Sequence, residues 1–478
     1  MDLVLQHIEN KERQPLHITR SSWLWAFAFL ISMSLMGLNF PFGYLFVLII
    51  LINRYLNNRY DFLIQITLLC GRYSLIGEED LPIKLEDVAL LVSILGIFIY
   101  RKSVLLKKIT LAMILYFIAL ILIACTSEET LMVQIRRMRN YMMIIYLFIP
   151  LLAFADKQFE IHEFFKKIFA YTLIICAFYA LDGFVLNGYI LIPNSFIAEG
   201  NLPSTFYSIQ WREFPRKYPP GLYIMALCLI PLIKYYKLSW KQWILVLLAL
   251  AATRTMSVIV GLLFAYGCFQ GHFKKMLKYI VVAVISVILL YHVDVALGGF
   301  LRIQSTFDQF VSLDIAQDEE DLSEFGSGRI AQIIPKYEVL YDLDREWLGF
   351  GFLHPELTKN PKFMIYNEFY VDKTNSWEVV TGIEIAPLQT IADIGYIGLI
   401  IQIMFYVSLY YFVRHLKYSI YFLSVLVLNF LFGLGGFAGF NQNDGLLLCA
   451  LALGAVLLAN KDSLKSNDEK IYKTNKIG

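Results

Sequence analysis

The sequence predicts an all-α membrane protein, a polytopic bundle of about 12 to 14 transmembrane helical segments. Three observations favour this class. Hydrophobic residues make up 58% of the 478 residues and charged residues only 17%, whereas the apolar share of a soluble domain is usually below about half. Apolar runs such as 22–40 and 109–125 are long enough, as helices, to cross the hydrocarbon core of a bilayer. Lys and Arg concentrate in the short segments that separate such runs.

The positions of Lys and Arg predict the sidedness of the chain, because short cytoplasmic loops accumulate these residues. Threading by this rule puts both termini inside and the acidic turn 78–80 outside. The rule explains the net charge of +2, which therefore indicates no nucleic-acid partner. The basic segments predicted to lie inside are 11–20, 54–59, 101–108, 157–167, 234–241, 274–278 and 414–417.

The threading divides the chain into four parts. Residues 1–297 are expected to form transmembrane helices, with an outer loop near 187–219. Residues 298–388 are expected to form a large helical extracytoplasmic loop. Residues 389–459 then form the C-terminal transmembrane helices, and 460–478 form a cytoplasmic tail.

One long apolar run, 243–269, is interrupted near its middle by Thr253, Arg254 and Thr255. As one helix it would be about 40 Å long, too long for a relaxed span, and it would move the lysines that follow to the outer side. Two short helices with Arg254 at their outer apex remove both conflicts. Because non-helical backbone at membrane depth must be buried in protein or line a wet cavity, this apex is a candidate cavity.

The preference of Lys and Arg for cytoplasmic loops does not explain the basic residues on the predicted outer side, so their presence there needs another explanation. Guanidinium groups bind phosphate oxygens through paired hydrogen bonds and keep their charge, so several around one cavity suit a diphosphate headgroup. The same charge would stabilise a departing pyrophosphate. The outer basic residues are Arg136, Arg137, Arg139, Arg212, Arg216, Lys217, Arg254, Arg302 and Arg329.

Each of these residues also has a simpler interpretation. Arg139 fits a residue at the end of a span whose long side chain extends to the lipid headgroups. Arg216 fits a solvated loop residue, and Arg254 fits a topological stop between two helices. Arg302 fits a membrane-edge anchor and Arg329 a charge on a helix surface.

Two acids, Glu384 and Asp393, lie near the predicted outer end of a span, where a carboxylate suits a general base that deprotonates an attacking hydroxyl. For Asp393 the alternative is a solvated acid at the membrane edge. The outer histidines, His292 and His354, belong to no metal-ligand pattern. We therefore expect neither a metal nor a cofactor.

Three pieces of the chain, in this order, resemble the O-antigen ligase and O-antigen polymerase superfamily. The first is Thr253 and Arg254, which resembles the Ser-Arg turn of that family between two short helices. The second is Gly326–Arg329, which opens the large outer loop. The third piece consists of two elements. Trp347–Gly351 (WLGFG) is similar to the family's Pro-Leu-Gly-x-Gly element. Asp393–Leu399 (DIGYIGL) is similar to the Glu-x-Gly-x-x-Gly-Leu sequence with which a span of the family begins.

The resemblance implies a GT-C-like, metal-independent glycosyltransferase on the periplasmic face of the bacterial inner membrane. Its implied substrates are undecaprenyl-diphosphate-linked glycans, as donor and acceptor, and its implied partner proteins are a flippase and a chain-length regulator. Arg216, Arg254 and Arg329 inherit binding or catalytic roles by this resemblance. Arg139 and Arg302 join them as expected diphosphate-binding residues because of their charge and predicted sidedness.

One departure from the family bears on the activity. Ligases of the family usually have a histidine at the position that Glu384 occupies here. This favours a polymerase of lipid-linked repeat units, in which Glu384 or another residue is the base. The alternatives are ligation of the glycan to a lipid or protein acceptor and, in a different class, a polysaccharide flippase or other transporter.

Overall fold

The computed structural model describes residues 14–38, 40–70, 85–100, 103–127, 131–186, 190–192, 222–253, 256–270, 285, 288–289, 291–293, 295–296, 337–352, 367–371, 376–380, 385–434, 439–440 and 443–461. The structure is mostly helical. Within these ranges three helices are long and apolar enough to cross a membrane: Val104–Cys125, Ile161–Val185 and Ala386–Val413. The predicted membrane-type helical class is confirmed at this level, while the number of spans and their sidedness stay predictions.

The helices follow one another through short connections over most of the described chain. A 3₁₀ turn, Met143–Leu147, joins the helices Leu131–Met142 and Phe148–Ala153, and a π turn, Leu181–Val185, extends the helix Ile161–Ala180. In chain order the helices are α1 Arg20–Gly37, α2 Pro41–Asn57, α3 Arg59–Cys70, α4 Leu85–Ile99, α5 Val104–Cys125, α6 Leu131–Met142, α7 Phe148–Ala153, α8 Ile161–Ala180, α9 Leu222–Tyr235, α10 Trp240–Thr253, α11 Met256–Gln270, α12 Ala386–Val413, α13 Ser419–Leu434 and α14 Asn443–Ala459.

Local sequence explains several helix starts. Thr19 precedes α1 in an extended conformation, and its hydroxyl oxygen accepts a hydrogen bond from the Ser22 amide at 3.3 Å. Such a cap satisfies one of the amides that a first helical turn leaves without an intrahelical partner. Pro41 in α2 and Pro387 in α12 occupy the first turn, where a missing amide costs nothing.

One end of the bundle gathers basic side chains, and we name it the basic end. Lys234 Nζ donates to the Phe269 carbonyl at 2.9 Å, so α9 and α11 end side by side. The His162 ring, at the start of α8, lies 3.3 Å from the hydroxyl of Tyr418, which follows α12. We name the opposite end of the bundle the distal end; α8 and its π turn lead towards it.

The helices α10 and α11 meet at the distal end. A Cβ placed on Gly183, in the π turn after α8, would lie 3.1 Å from Cβ of Ala252, so α10 reaches the distal end. From Met256, α11 returns to the basic end. The predicted break of the run 243–269 into two helices is confirmed, and Arg254 lies outside the described residues.

A buried carboxylate fixes the chain where it leaves α8. Asp182, in the π turn, is fully buried. Its oxygens accept hydrogen bonds from the amides of Leu191 and Ile192 at 3.0 and 2.8 Å. Because a buried charge is costly unless it is hydrogen-bonded, these bonds hold the chain at 190–192 against the end of α8.

An ion cluster joins four helices in the basic half of the bundle. Asp61 in α3 is fully buried, and its Oδ2 lies 3.3 Å from Lys167 Nζ in α8 and 3.9 Å from Arg54 in α2. Lys167 also donates to Ser22 Oγ in α1 at 2.8 Å. The Arg54 guanidinium lies over the Trp25 ring, 3.8 Å from its centre. Buried charges need every partner in place, so the cluster fixes how α1, α2, α3 and α8 pack.

The segment 298–388, predicted as the large loop, contains two paired strands. Strands β3, Asn367–Val371, and β4, Ser376–Val380, pair antiparallel, with Tyr370 opposite Trp377. Their β-branched and aromatic residues favour extended backbone. The expectation of helices alone in this loop is therefore wrong for these strands. A second pair, β1 Gln14–Pro15 and β2 Tyr236–Lys237, is parallel and only two residues long.

We expect Asp61→Asn to lower the free energy of unfolding by about 3–5 kcal/mol, because it leaves Arg54 and Lys167 buried without their counter-charge. The measurement is the midpoint of thermal or detergent-induced unfolding of the purified chain. The matched control is Asp156→Asn, which removes an exposed carboxylate that pairs with Arg59. Equal midpoints for the two variants would contradict the role of the ion cluster.

Candidate functional site

Two of the glycine-rich elements singled out in the sequence contact each other at what we name the glycine junction, residues 346–351 against residues 392–397. Helix α12 is interrupted at Gly395, whose φ is 67° and ψ −177°. Four backbone hydrogen bonds join the two segments. They run from Phe350 N to Ala392 O (2.8 Å), Gly351 N to Asp393 O (2.9 Å), Tyr396 N to Glu346 O (3.0 Å) and Ile397 N to Trp347 O (3.2 Å).

These four bonds replace those that the interruption of α12 removes. In a continuous helix the amides of residues 396 and 397 would bond to the carbonyls of residues 392 and 393. At the junction those two amides and two carbonyls all pair with the segment 346–351 instead. The buried polar groups of the break are therefore satisfied only when the large loop lies against α12.

Glycine is required on both sides of the junction. Gly349 and Gly395 have φ angles of 74° and 67°, in the left-handed region that other residues seldom adopt. A Cβ on Gly349 would lie 2.5 Å from the Asp393 carbonyl carbon, and one on Gly395 would lie 2.2 Å from the Trp347 carbonyl. The glycine spacing in WLGFG and DIGYIGL thus has a physical cause, the close approach of two backbones.

The junction is also attached to α5 and α6. Ser127, just after α5, donates from Oγ to the Phe350 carbonyl at 2.8 Å. Gln134 in α6 donates from Nε2 to the Ala124 carbonyl at 2.9 Å. A Cβ on Gly351, whose φ is 92°, would lie 2.6 Å from Ser127 and 2.9 Å from Gln134. Three helices therefore hold residues 346–351 of the large loop in place.

Asp393 lies at the centre of this arrangement and is buried, with 3% of its surface exposed. The Tyr141 hydroxyl donates to Oδ2 at 2.8 Å and Gln389 Nε2 donates to Oδ1 at 2.7 Å. The interpretation of Asp393 as a solvated acid is therefore wrong. Because both oxygens accept hydrogen bonds from the protein, this carboxylate anchors α6 to the first turns of α12.

Arg139 is the one expected diphosphate-binding residue whose side chain the structure describes. Its Nη1 donates a hydrogen bond to Oδ1 of Asp87, in α4, at 2.7 Å. Both side chains keep some exposure. The ion pair balances the charge of Arg139, and its predicted role in binding phosphate stays a prediction.

The other expected site residues lie outside the described residues, so their convergence on one cavity stays a prediction. Among them, Arg254 belongs to the two-residue gap between the described helices α10, which ends at Thr253, and α11, which starts at Met256. The residues concerned are Arg216, Arg254, Arg302, Arg329 and Glu384.

Reasoning from charge did not single out Tyr141, Gln389 or Gln134, which hold the junction together. Each is a polar residue close to a long apolar stretch. Polar side chains in membrane helices usually face other polar groups in the protein interior. That signal was present in the sequence, but it could not identify their partners.

No protein-family model matches the chain, and no curated protein matches it. The family resemblance therefore rests on the short elements quoted above.

Substituting Gly395→Ala is expected to disrupt the glycine junction, because the new methyl group would collide with the Trp347 carbonyl and the positive φ would be strained. We expect a lower unfolding midpoint and faster proteolysis of the large loop. The control is Gly183→Ala, where the nearest atom to an added Cβ is a methyl at 3.1 Å. Wild-type proteolysis of the Gly395→Ala variant would exclude a structural role for the junction.

The variant Tyr141→Phe should cost about 1–3 kcal/mol of stability, because it removes a hydrogen-bond donor from the buried Asp393 carboxylate. The same unfolding measurement checks this. Tyr411→Phe is the matched control, since Tyr411 is exposed on α12. If both variants unfold at the same midpoint, the bond from Tyr141 does not stabilise the fold.

Proposed function

We propose that the chain is a metal-independent glycosyltransferase that polymerises undecaprenyl-diphosphate-linked oligosaccharide repeat units, as in O-antigen, capsule or exopolysaccharide synthesis. The bond between the anomeric carbon and the lipid diphosphate breaks, and a bond to a hydroxyl of the incoming repeat unit forms. A base takes the hydroxyl proton, and the lipid diphosphate leaves. The proposed location is the periplasmic face of the bacterial inner membrane.

The observation that carries this proposal is the glycine junction. Two elements that resemble the same family, WLGFG and DIGYIGL, are far apart in sequence yet pair backbone to backbone. Shared motifs that also contact each other support a common fold more strongly than motifs that match in sequence alone. The function itself follows from the family likeness, and so it is a proposal.

The ends of α10 and α11 supply the second support. Both helices reach the distal end, where α12 also starts, and in the sequence Arg254 follows the last residue of α10. A guanidinium at that position could bind two phosphate oxygens at once and stabilise the charge of the departing diphosphate. In the proposed site Arg216 and Arg329 assist it, and Glu384 takes the proton.

Asp393 has a positioning role in this proposal. Its two hydrogen bonds, from Tyr141 and Gln389, set the start of α12 relative to α6. The segment that precedes α12 carries Glu384. A fixed start of α12 therefore restricts where that residue can lie relative to a bound glycan.

The decisive experiment incubates the purified chain with lipid-linked repeat units and separates the products by gel electrophoresis. A polymerase produces a ladder, and a ligase produces a single shifted acceptor. A transporter in vesicles moves the lipid-linked unit across the bilayer without changing its length. A ladder is the expected result, and its absence with intact substrate would reject the polymerase.

Arg254→Ala should lower the rate of ladder formation by about a hundredfold or more, the usual effect of removing one charge-stabilising donor. Arg329→Ala is expected to do the same, with protein levels unchanged. Arg414→Ala is the control, because Arg414 lies over the Tyr411 ring at the basic end. Normal ladders from both Arg254→Ala and Arg329→Ala would reject the assigned roles.

A further inference from the structure

Three aromatic side chains, two exposed and one half-buried, form a group at the glycine junction that we name the aromatic patch: Tyr341, Trp347 and Tyr396. Trp347 is 56% exposed and Tyr341 is 52% exposed. The hydroxyls of Tyr341 and Tyr396 lie 3.0 Å apart, and the Trp347 and Tyr396 rings meet edge to face with centres 5.9 Å apart. The patch thus combines apolar ring surface with hydroxyl and indole groups that need a wet environment.

The patch continues into an exposed apolar stripe on α12. Five exposed residues recur along this helix at alternating intervals of three and four, which places them on one face, and Ile403 is exposed next to Met404. No charged residue occurs between Tyr396 and Val413. The exposed members of the stripe are Ile397, Ile400, Met404, Val407 and Tyr411.

The stripe has the length of a bilayer core. From Tyr396 to Arg414 the helix rises about 27 Å, close to the roughly 30 Å of hydrocarbon in a typical bilayer. At the basic end the Arg414 guanidinium lies 4.0 Å from the centre of the Tyr411 ring. An apolar face bounded by aromatic and basic side chains is typical of a helix surface in contact with lipid.

Helix α5, independently of α12, places the glycine junction at the same distance from basic residues. Lys107 and Lys108 are exposed near its start, and no charged residue follows as far as Cys125, a rise of about 26 Å. Ser127, two residues later, donates to the Phe350 carbonyl in the junction. Two helices therefore place the junction one hydrocarbon thickness away from basic residues.

We propose that the aromatic patch docks on the headgroup region of the bilayer at the distal end and anchors segment 337–352 of the large loop there. The occupant is the phospholipid interface, because the patch is continuous with the lipid-length stripe of α12. The glycine junction then lies at the depth of lipid phosphates. This inference rests on surface geometry and is independent of the proposed reaction.

The test uses the full chain labelled with fluorotryptophan in nanodiscs of phosphatidylcholine and phosphatidylglycerol. The signal of Trp347 is the one missing from Trp347→Phe, or from Trp347→Tyr should the first variant not fold. Its broadening is measured with a nitroxide near the lipid headgroup, with a nitroxide at the end of the acyl chain, and with a gadolinium chelate in the water.

We expect the headgroup nitroxide to broaden the Trp347 signal at least about twofold more than either other probe, as for an interfacial indole. The proposal would be overturned if the aqueous chelate broadened the signal most and the two lipid nitroxides had equally weak effects. A shift of the same signal only on adding a lipid-linked oligosaccharide, without lipid broadening, would also overturn it and assign the patch to glycan. Strongest broadening by the chain-end nitroxide would reject an interfacial depth.

Discussion

The structure around the distal end depends on one constraint, the need of buried backbone amides and carbonyls for partners. The break at Gly395 removes hydrogen bonds from α12 where water cannot replace them easily. The segment 346–351 supplies all four missing partners, and it can approach closely enough only because Gly349 and Gly395 lack side chains. This segment of the large loop is therefore part of the helical bundle, and its position is as fixed as that of the helix.

Buried acids hold together both ends of the bundle. In the basic half, Asp61 with Lys167 and Arg54 joins four helices through paired charges. At the distal end the buried acids Asp182 and Asp393 accept hydrogen bonds from amides and neutral side chains.

Sequence patterns predicted much of the fold for physical reasons. Apolar runs of span length and the interruption around Arg254 gave helix positions, because backbone in a membrane must be hydrogen-bonded within a helix. The paired strands Asn367–Val371 and Ser376–Val380 were missed, since short aromatic and β-branched runs in a loop fit either structure. The burial of Asp393 was missed as well, because its donors, Tyr141 and Gln389, come from two different helices.

The sequence by itself determined the membrane-type helical class, the break between α10 and α11, and the glycine spacing of both elements at the junction. These features are local, since hydrophobicity, charge and backbone freedom are properties of neighbouring residues. Only the tertiary structure decided that WLGFG pairs with DIGYIGL, that Arg139 pairs with Asp87, and that the aromatic patch continues the exposed face of α12. Contacts between segments far apart in sequence depend on how the helices pack together, and no local pattern specifies that packing.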